Sequence, residues 1–431
     1  MMKADHSKAP ILSTSGRTLI ASSIVARLPL AMFSIALLVH AQQLTGSFAV
    51  AGAVSGAYAI AGAVSAPVLG RLVDRIGQTG VLVSGATLTA LALVVAGVLP
   101  AGTPPGVLVA LAATAGMATP PLGACMRTLL PAIAGDPARL PALFAFESTA
   151  LEVTFVLGPP LALGLGAVWS TGAALASAGV LMLVATLAFA AQPSSRAWRP
   201  DQSAPRRRGG SLGSPAILIL ALIELGCGAV FGATEVGITA AAKALGSTAA
   251  AGPVLGIWGL GSLLGGIVAT RLGGGARRSG GLIVLLTALA VAHGSLILAT
   301  GSVLAIGAVI LIAGATIAPT AATIYAMVDR FAPAGTVTEA FSWALTAAYT
   351  GEALGAAAGG GLVQRACAGA AFAFVGAAGA VTVLVAVLGR GRLDGAPGRD
   401  GAPGRDSAPG LDGARAEPFS SASAQPCAHT A

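Results

Sequence analysis

The stretch GRLVDRIGQTG, residues 70–80, decides the fold because it concentrates charge in a chain that carries little elsewhere. Arg71, Asp74 and Arg75 lie within it, whereas charged residues make up only 9% of the 431 residues. The flanking segments AIAGAVSAPVL and VLVSGATLTALALVV contain no charged residue. This pattern is typical of a short, glycine-edged connection between two apolar segments.

The overall composition indicates a membrane protein. Hydrophobic residues make up 55% of the chain, and its mean hydropathy is +0.85. A soluble chain of this length would need a larger charged share to cover its surface. Apolar stretches of about 20 residues recur along the sequence, and each could cross a hydrocarbon layer of about 30 Å as a helix.

Breaks of polar residues, glycine and proline divide the chain into twelve apolar stretches, called spans 1 to 12 below. They are predicted at 18–41, 48–69, 81–100, 106–128, 142–165, 170–191, 214–240, 250–270, 280–299, 302–326, 339–362 and 368–388. Backbone groups inside a bilayer must bond within their own segment, so the spans are predicted to be helices. The alternating segments of about 10 residues that mark a membrane β-barrel do not occur.

Basic residues distinguish the two sides of this predicted membrane protein. They lie before span 1, in the connections that follow even-numbered spans, and after span 12. The connections that follow odd-numbered spans hold only Lys243 and Arg365. By the positive-inside rule, we expect a multi-pass protein of the cell membrane with both termini in the cytoplasm.

Changes in polarity along the chain predict its domain organisation. The expected parts are a cytoplasmic N-terminus (1–17), an N-terminal six-helix half (18–191), a basic cytoplasmic linker (192–213), a C-terminal six-helix half (214–389) and a cytoplasmic tail (390–431). The tail contains the hexapeptide repeat GAPGRD-GAPGRD-SAPGLD, whose polar composition predicts disorder.

The twelve spans and the opening stretch resemble the major facilitator superfamily over about residues 17–390. That family's motif between spans 2 and 3 is matched by Gly70, Leu72, Asp74, Arg75 and Gly77. The resemblance implies an all-α membrane fold of two six-helix halves that transports by alternating access. It also implies a latch in which Asp74 contacts positive groups and helix ends across the two halves and stabilises the outward-facing state. The predicted latch residues are Gly70, Arg71, Asp74, Arg75 and Gly77.

A second motif, VLGPPLALGLG at residues 156–166 in span 5, is similar to the Gly-Pro motif of proton-driven antiporters in this superfamily. The matching positions are Gly158, Pro159 and Gly164, while Pro160 departs from the usual pattern. Proline removes a backbone hydrogen bond, and glycine lets a neighbouring helix approach closely. The resemblance implies export. An uptake carrier for a small solute and a non-transporting sensor with the same fold remain alternatives.

Ionisable residues inside the spans are candidates for a substrate and proton pathway, because a charge at the bilayer centre costs about 2.5–3.5 kcal/mol. The candidates are Arg27, Glu147, Glu152, Glu224, Glu235, Glu352 and, as a packing residue, His293. Arg27 requires a carboxylate partner, and Glu152 is the expected one, with Glu147 as the other acid of the same span. Glu147 could instead reach the membrane surface, and Arg127 is expected to be an interfacial anchor. Glu235 is expected to exchange protons.

These residues favour proton-coupled transport of a small organic compound. A carboxylate in a low-dielectric cavity can exchange protons near neutral pH, in competition with a cationic substrate or with the Arg27 ion pair. The chain contains no Walker sequence and no cluster of metal-binding or nucleophilic residues, so an ATP-driven pump and an enzyme are disfavoured. No cofactor, metal or nucleic-acid partner is expected. The expected partners are the lipid bilayer, a small-molecule substrate and protons, and the chain is expected to be a monomer.

Overall fold

The computed structural model describes residues 14–200, 210–247, 250–276 and 278–395. The helices of spans 1 to 6 are Thr14–Thr45, Phe48–Ile76, Gln78–Gly97, Pro105–Ala118 with Leu122–Ala134, Leu140–Val168 and Thr171–Ala190. The linker contributes the short helix Pro193–Ala197 and the 3-10 turn Gly210–Gly213. The helices of spans 7 to 12 are Pro215–Ala244, Ala251–Arg271, Ser279–Gly294 with the 3-10 turn Ser295–Ala299, Val303–Gly314 with Ile317–Phe331, Val337–Arg365 and Ala368–Leu393. The predicted repeat in the tail lies outside the described residues.

Eleven segments of the described chain are long and apolar enough to cross a membrane. They correspond to spans 1 to 10 and span 12. The helix of span 11, Val337–Arg365, is 29 residues long but less apolar, since it carries Glu339, Glu352 and several hydroxyl side chains. Span 11 packs against span 7 and span 2, and its polar residues Thr338, Glu339 and Ser342 are buried.

Glycines bring spans 7 and 11 into direct backbone contact. A Cβ on Gly228 or Gly232 would overlap the backbone of span 11 at Ala348 or Glu352. A Cβ on Gly351 would likewise overlap the backbone of span 7 at Leu225. Small residues permit this close packing, which is a main source of helix association in membranes. The contact fixes Glu352 against the middle of span 7.

The opening motif is helical, which differs from the predicted connection between spans 2 and 3. The helix of span 2 continues through Gly70 and Asp74 to Ile76, and only Gly77 separates it from span 3. Gly77 has a φ of 97°, a conformation that side-chain-bearing residues rarely adopt. Asp74 therefore lies on the last turn of span 2, where the rigid helix fixes its position.

Spans 4 and 10 are both broken near their middle, which was not predicted. Span 4 breaks at Thr119, Pro120 and Pro121, where two successive prolines lack the N–H groups that would continue the helix. Span 10 breaks after Gly314, and Pro319 accounts for it because a proline ring clashes with the carbonyl four residues earlier. The second helix of span 4, Leu122–Ala134, also continues beyond the predicted end of the span at 128.

The broken spans show which end of the helix bundle is closed. The latch end is defined here as the end that contains residues 70–77 and 337–342. There, the helix Leu122–Ala134 packs against span 11, and the helix Ile317–Phe331 packs against span 5, both across the two halves. The other parts of spans 4 and 10, Pro105–Ala118 and Val303–Gly314, pack mainly against spans of their own half. The interface between spans 1–6 and spans 7–12, called the seam below, is therefore closed at the latch end.

The predicted orientation can be tested by cysteine labelling. Thr79 at the latch end and Lys243 at the other end are both exposed, and either can be replaced by cysteine in a variant whose four native cysteines are serine. Because basic residues collect at the latch end, Thr79→Cys should react only from the cytoplasm and Lys243→Cys only from outside. The reverse labelling pattern would contradict the orientation. Gln78 is unsuitable because it is buried and donates to the Ser195 carbonyl over 3.0 Å.

Candidate functional site

Asp74 binds the start of span 11 across the seam. Its carboxylate accepts hydrogen bonds from the backbone N–H groups of Thr338, over 3.1 Å, and Glu339, over 2.8 Å. Span 11 has no side-chain cap of its own at this end. A negative charge at a helix N-terminus satisfies the free N–H groups and interacts favourably with the helix dipole. Gly70 permits the contact, because a Cβ there would overlap Ser342 and the backbone of Thr338.

Arg71 adds an ion pair on the same side of span 11. Its Nε and Nη2 donate to the two carboxylate oxygens of Glu339 over 3.1 and 2.7 Å. Glu339 is buried, and it also accepts from the backbone N–H of Ser211, at the end of the linker, over 3.3 Å. Arg75 is exposed. Of the five predicted latch residues, Gly70, Arg71 and Asp74 contact span 11 across the seam, and Gly77 ends the helix that carries them.

Arg27, Arg127 and Glu147 form a buried ion cluster in the first half. Arg27 Nη1 lies 2.5 Å from Glu147 Oε1, and Arg127 Nε lies 3.2 Å from Glu147 Oε2. The three side chains come from spans 1, 4 and 5, and all are at most 3% exposed. One carboxylate therefore compensates two guanidinium groups, which leaves a formal charge of +1 on this cluster.

The cluster corrects three sequence-based expectations. Glu147 is the partner of Arg27, and the expected pairing with Glu152 is wrong. The separation of five positions between the two acids rotates Glu152 by about 140° around the helix, away from Arg27. Glu147 is fully buried and does not reach the membrane surface. Arg127 is also buried, because span 4 continues for two further turns of helix beyond it. The apolar run LLPAIA after Arg127 was the sequence signal for that continuation.

Arg127 also connects the cluster to the second half. Its guanidinium carbon lies 3.7 Å from the centre of the Tyr325 ring in span 10 and 6.0 Å from that of Phe341 in span 11. Such cation–π contacts are strongest where both groups are shielded from water. Glu224 of span 7 is also buried and interacts electrostatically with Arg127. Its Oε1 atom has no hydrogen-bond partner within the described part of the chain.

The three remaining acids lie farther from the latch end. Glu152 is half-buried and faces Ser262 of span 8 across the seam. Glu235 and Glu352 are exposed on spans 7 and 11, and their charges repel each other. Glu224 and Glu235 are about 16 Å apart along the helix axis by helix rise, so they occupy different depths. Of the two acids in span 7, Glu224 is the one near the arginine cluster.

The Gly-Pro motif holds span 5 against span 1. A Cβ on Gly158 would meet Ala31 of span 1 at 2.6 Å, closer than real side chains pack. The helix continues through Pro159 and Pro160 without interruption. Gly164 has no atom near its virtual Cβ among the described residues, so this position imposes no close contact in this conformation.

His293 is a packing residue within the second half. Its Nε2 accepts a hydrogen bond from Trp258 Nε1 over 3.1 Å, and its Nδ1 donates to the Leu289 carbonyl over 2.9 Å. Phe231 packs against both rings. Both ring nitrogens of His293 thus have a hydrogen-bond partner within the second half, which agrees with the expected packing role.

Comparisons with known proteins agree with this architecture. A family model described as Major Facilitator Superfamily matches residues 19–338. None of the curated protein sequences compared with the chain matches it. A bacterial homologue of the iron transporter ferroportin, in an outward-facing state with soaked iron, is similar at TM-score 0.69 and 17% identity, covering 89% of this chain and 99% of that one.

Two further solved structures have the same fold. The proton:xylose symporter XylE, bound to 6-bromo-6-deoxy-D-glucose, has a TM-score of 0.69 and 14% identity, covering 85% of this chain and 94% of that one. The human organic anion transporter MFSD10 has a TM-score of 0.64 and 16% identity, covering 87% of this chain and 100% of that one. At these identities the likeness concerns the fold alone.

Proposed function

This chain belongs to the Major Facilitator Superfamily, and from that premise we propose that it exports a small organic compound across the cell membrane in exchange for protons. Members of the superfamily are transporters rather than enzymes, and the chain is a multi-pass membrane protein. The observation that carries the proposal is the buried charge arrangement at the seam, where Arg127 of the first half faces Glu224 and Tyr325 of the second. Alternating access requires these two halves to separate at one end at a time.

Separation at the latch end would leave Glu224 without its nearby positive charge. Among the described residues, the groups that act electrostatically with Glu224 are Arg127, the Tyr325 hydroxyl and the Cys227 thiol, of which only Arg127 carries a full charge. An ionised Glu224 attracts Arg127 and favours the closed latch end. A protonated Glu224 does not, so a proton bound from outside favours opening toward the cytoplasm. This is the step that proton-driven export requires.

Glu235 and Glu352 extend the same pathway toward the far end of the molecule. Both are exposed, and both lie on helices that also carry buried polar groups near the latch end. We assign them to the route by which protons reach Glu224. The Gly-Pro motif of span 5, in which Gly158 contacts span 1, supports export through its resemblance to the motif of antiporters.

The coupling role of Glu224 can be tested in liposomes that contain the purified protein. A panel of amphipathic organic compounds is first screened for one that dissipates an imposed pH gradient. Glu224→Gln should abolish this proton flux, while exchange of labelled for unlabelled substrate continues at saturating substrate concentration, because glutamine retains the shape of the side chain without its titration. The measurement is the proton flux per substrate exchanged.

Glu235→Gln is the matched control, since it makes the same change eleven residues along the same helix. We expect it to slow proton flux without removing the coupling. Loss of coupling in Glu235→Gln with full coupling in Glu224→Gln would move the exchanging carboxylate to Glu235. Full coupling in both variants would contradict the proposed proton exchange in span 7.

A further inference from the structure

The break in span 4 leaves backbone donors facing the buried arginines. The helix Leu122–Ala134 begins after Pro121 and has no side-chain cap. The N–H of Leu122 donates to the carbonyl of Pro120, and the N–H of Cys125 donates to the carbonyl of Pro121. Among the described residues, the N–H groups of Gly123 and Ala124 have no partner. The start of a helix with free N–H groups favours a negatively charged group.

The Arg27 side chain is directed at the same place. A virtual Cβ on Gly123 lies 3.7 Å from Nη1 of both Arg27 and Arg127 and 3.9 Å from Cδ of Arg27. Arg27 is only 3% exposed, yet its Nη2 atom has no hydrogen-bond partner among the described residues. A buried guanidinium nitrogen without a partner costs free energy, so a ligand that accepts from it is favoured.

Glu224 provides an unsatisfied acceptor that interacts electrostatically with Arg127. It is 6% exposed, and its Oε1 lacks a hydrogen-bond partner within the described chain. The two arginines and the two acids, Glu147 and Glu224, together carry no net charge when all are ionised. A ligand that enters this cluster without disturbing the balance must itself be neutral overall, with separate negative and positive groups.

We propose that the transported compound is a small zwitterion, with a carboxylate that binds Arg27 and the start of the helix Leu122–Ala134, and an ammonium group that binds Glu224. The carboxylate can accept from Arg27 Nη2 and from the N–H groups of Gly123 and Ala124. The inference names the substrate class of the transporter proposed above and rests on that proposal to this extent. The ammonium group and a proton compete for Glu224, which is the competition that exchange requires.

The arrangement also gives the ligand a mechanical role. Arg27 and Gly123 belong to the first half, whereas Glu224 belongs to the second. A zwitterion bound at both ends connects the halves near the latch end and favours its closure. Its departure, followed by protonation of Glu224, favours the reverse movement.

The proposal is tested by binding to the purified protein with three forms of one carbon skeleton. The probes are the amino acids phenylalanine and leucine, their amides, which keep only the ammonium group, and the corresponding acids that lack the amino group. At least one amino acid should bind about tenfold or more tightly than both of its singly charged forms, which is the loss expected when one charge-assisted hydrogen bond is missing. Affinity is read by calorimetry or by ligand-dependent thermal stabilisation. Equal affinity for the three forms of every skeleton would overturn the proposal.

Two variants distinguish the two ends of the site. Gly123→Ala places a methyl group at ordinary contact distance from both arginines, so the fold should be retained while the carboxylate position is filled. It should weaken the amino acid and the deaminated acid by about tenfold and leave the amide unchanged. Gly106→Ala is the matched control, since its virtual Cβ meets open space on the same span. Glu224→Gln should remove the advantage of the amino acid over the deaminated acid.

The results separate this proposal from the proposed function. Zwitterion binding that responds to both variants, without proton-driven flux in liposomes, would support the site and contradict proton exchange. Proton-driven flux of a compound without a carboxylate, unaffected by Gly123→Ala, would support exchange and contradict the zwitterion site.

Discussion

Glu147→Gln should lower the free energy of unfolding by about 3–5 kcal/mol, the largest stability effect expected in this protein. Glutamine keeps the size of the side chain but removes the negative charge that compensates Arg27 and Arg127. Two buried guanidinium groups would then lie without their counter-ion, at contacts that are now 2.5 and 3.2 Å long. The measurement is the thermal unfolding midpoint and the yield of folded protein in detergent.

Glu152→Gln is the matched control for this prediction. It makes the same change five residues later on the same helix, at a half-buried position that has no arginine partner in the described part of the chain. We expect a change of less than about 1 kcal/mol there. Adding Arg27→Gln to Glu147→Gln should restore part of the lost stability, because it removes one of the two uncompensated charges. A stable Glu147→Gln protein together with an unstable Glu152→Gln protein would contradict the observed ion cluster.

Asp74→Asn should reduce the transport rate about tenfold or more while leaving membrane insertion and yield near normal. Asparagine can accept only through one oxygen, so one of the two bonds to span 11 and the charge at its N-terminus are lost. A loss of about 1.5–3 kcal/mol in the closed state shifts its ratio to the open state by about 10- to 100-fold. The measurement is the initial rate of substrate exchange in liposomes.

Cys125 offers a direct measure of opening at the latch end. It is fully buried and lies close to Asp74, so a water-soluble thiol reagent should reach it only when the latch end opens. In a variant that retains only this cysteine, Asp74→Asn should accelerate its labelling. Slow labelling combined with slow transport would contradict a shift toward the open state.

Asp394→Asn controls for the loss of a helix cap as such. Asp394 accepts from the hydroxyl of Ser279 over 2.6 Å and from its backbone N–H over 3.1 Å, at the start of span 9. These bonds, with Arg390, hold the pKa of Asp394 below its usual value. The cap is therefore intact at neutral pH and is lost as the pH falls through the lowered pKa of Asp394 in the folded protein. Both partners belong to the second half. Asp394→Asn should therefore leave transport and Cys125 labelling unchanged.

Much of this architecture was predictable from local sequence. Apolar length predicts the spans, because each helix in a bilayer must satisfy its own backbone. The Asp74 motif predicts a contact across the two halves, and the structure places Asp74 at the start of span 11. The pair Pro120 and Pro121 was sufficient to predict the break in span 4. The apolar residues on both sides instead indicated one continuous span.

The sequence by itself determined that this chain spans a membrane many times and that charges inside the spans require partners. It could not determine which partners, because the choice depends on helix rotation and on contacts between distant residues. Arg27 and Glu147 are 120 positions apart, and Arg71 and Glu339 are 268 apart. Glu147 and Glu152 have the same chemistry and lie on one helix, yet only packing turns Glu147 toward both arginines. The tertiary structure decided this pairing, since an ion pair in a low-dielectric interior depends on separations of a few ångströms that no local pattern specifies.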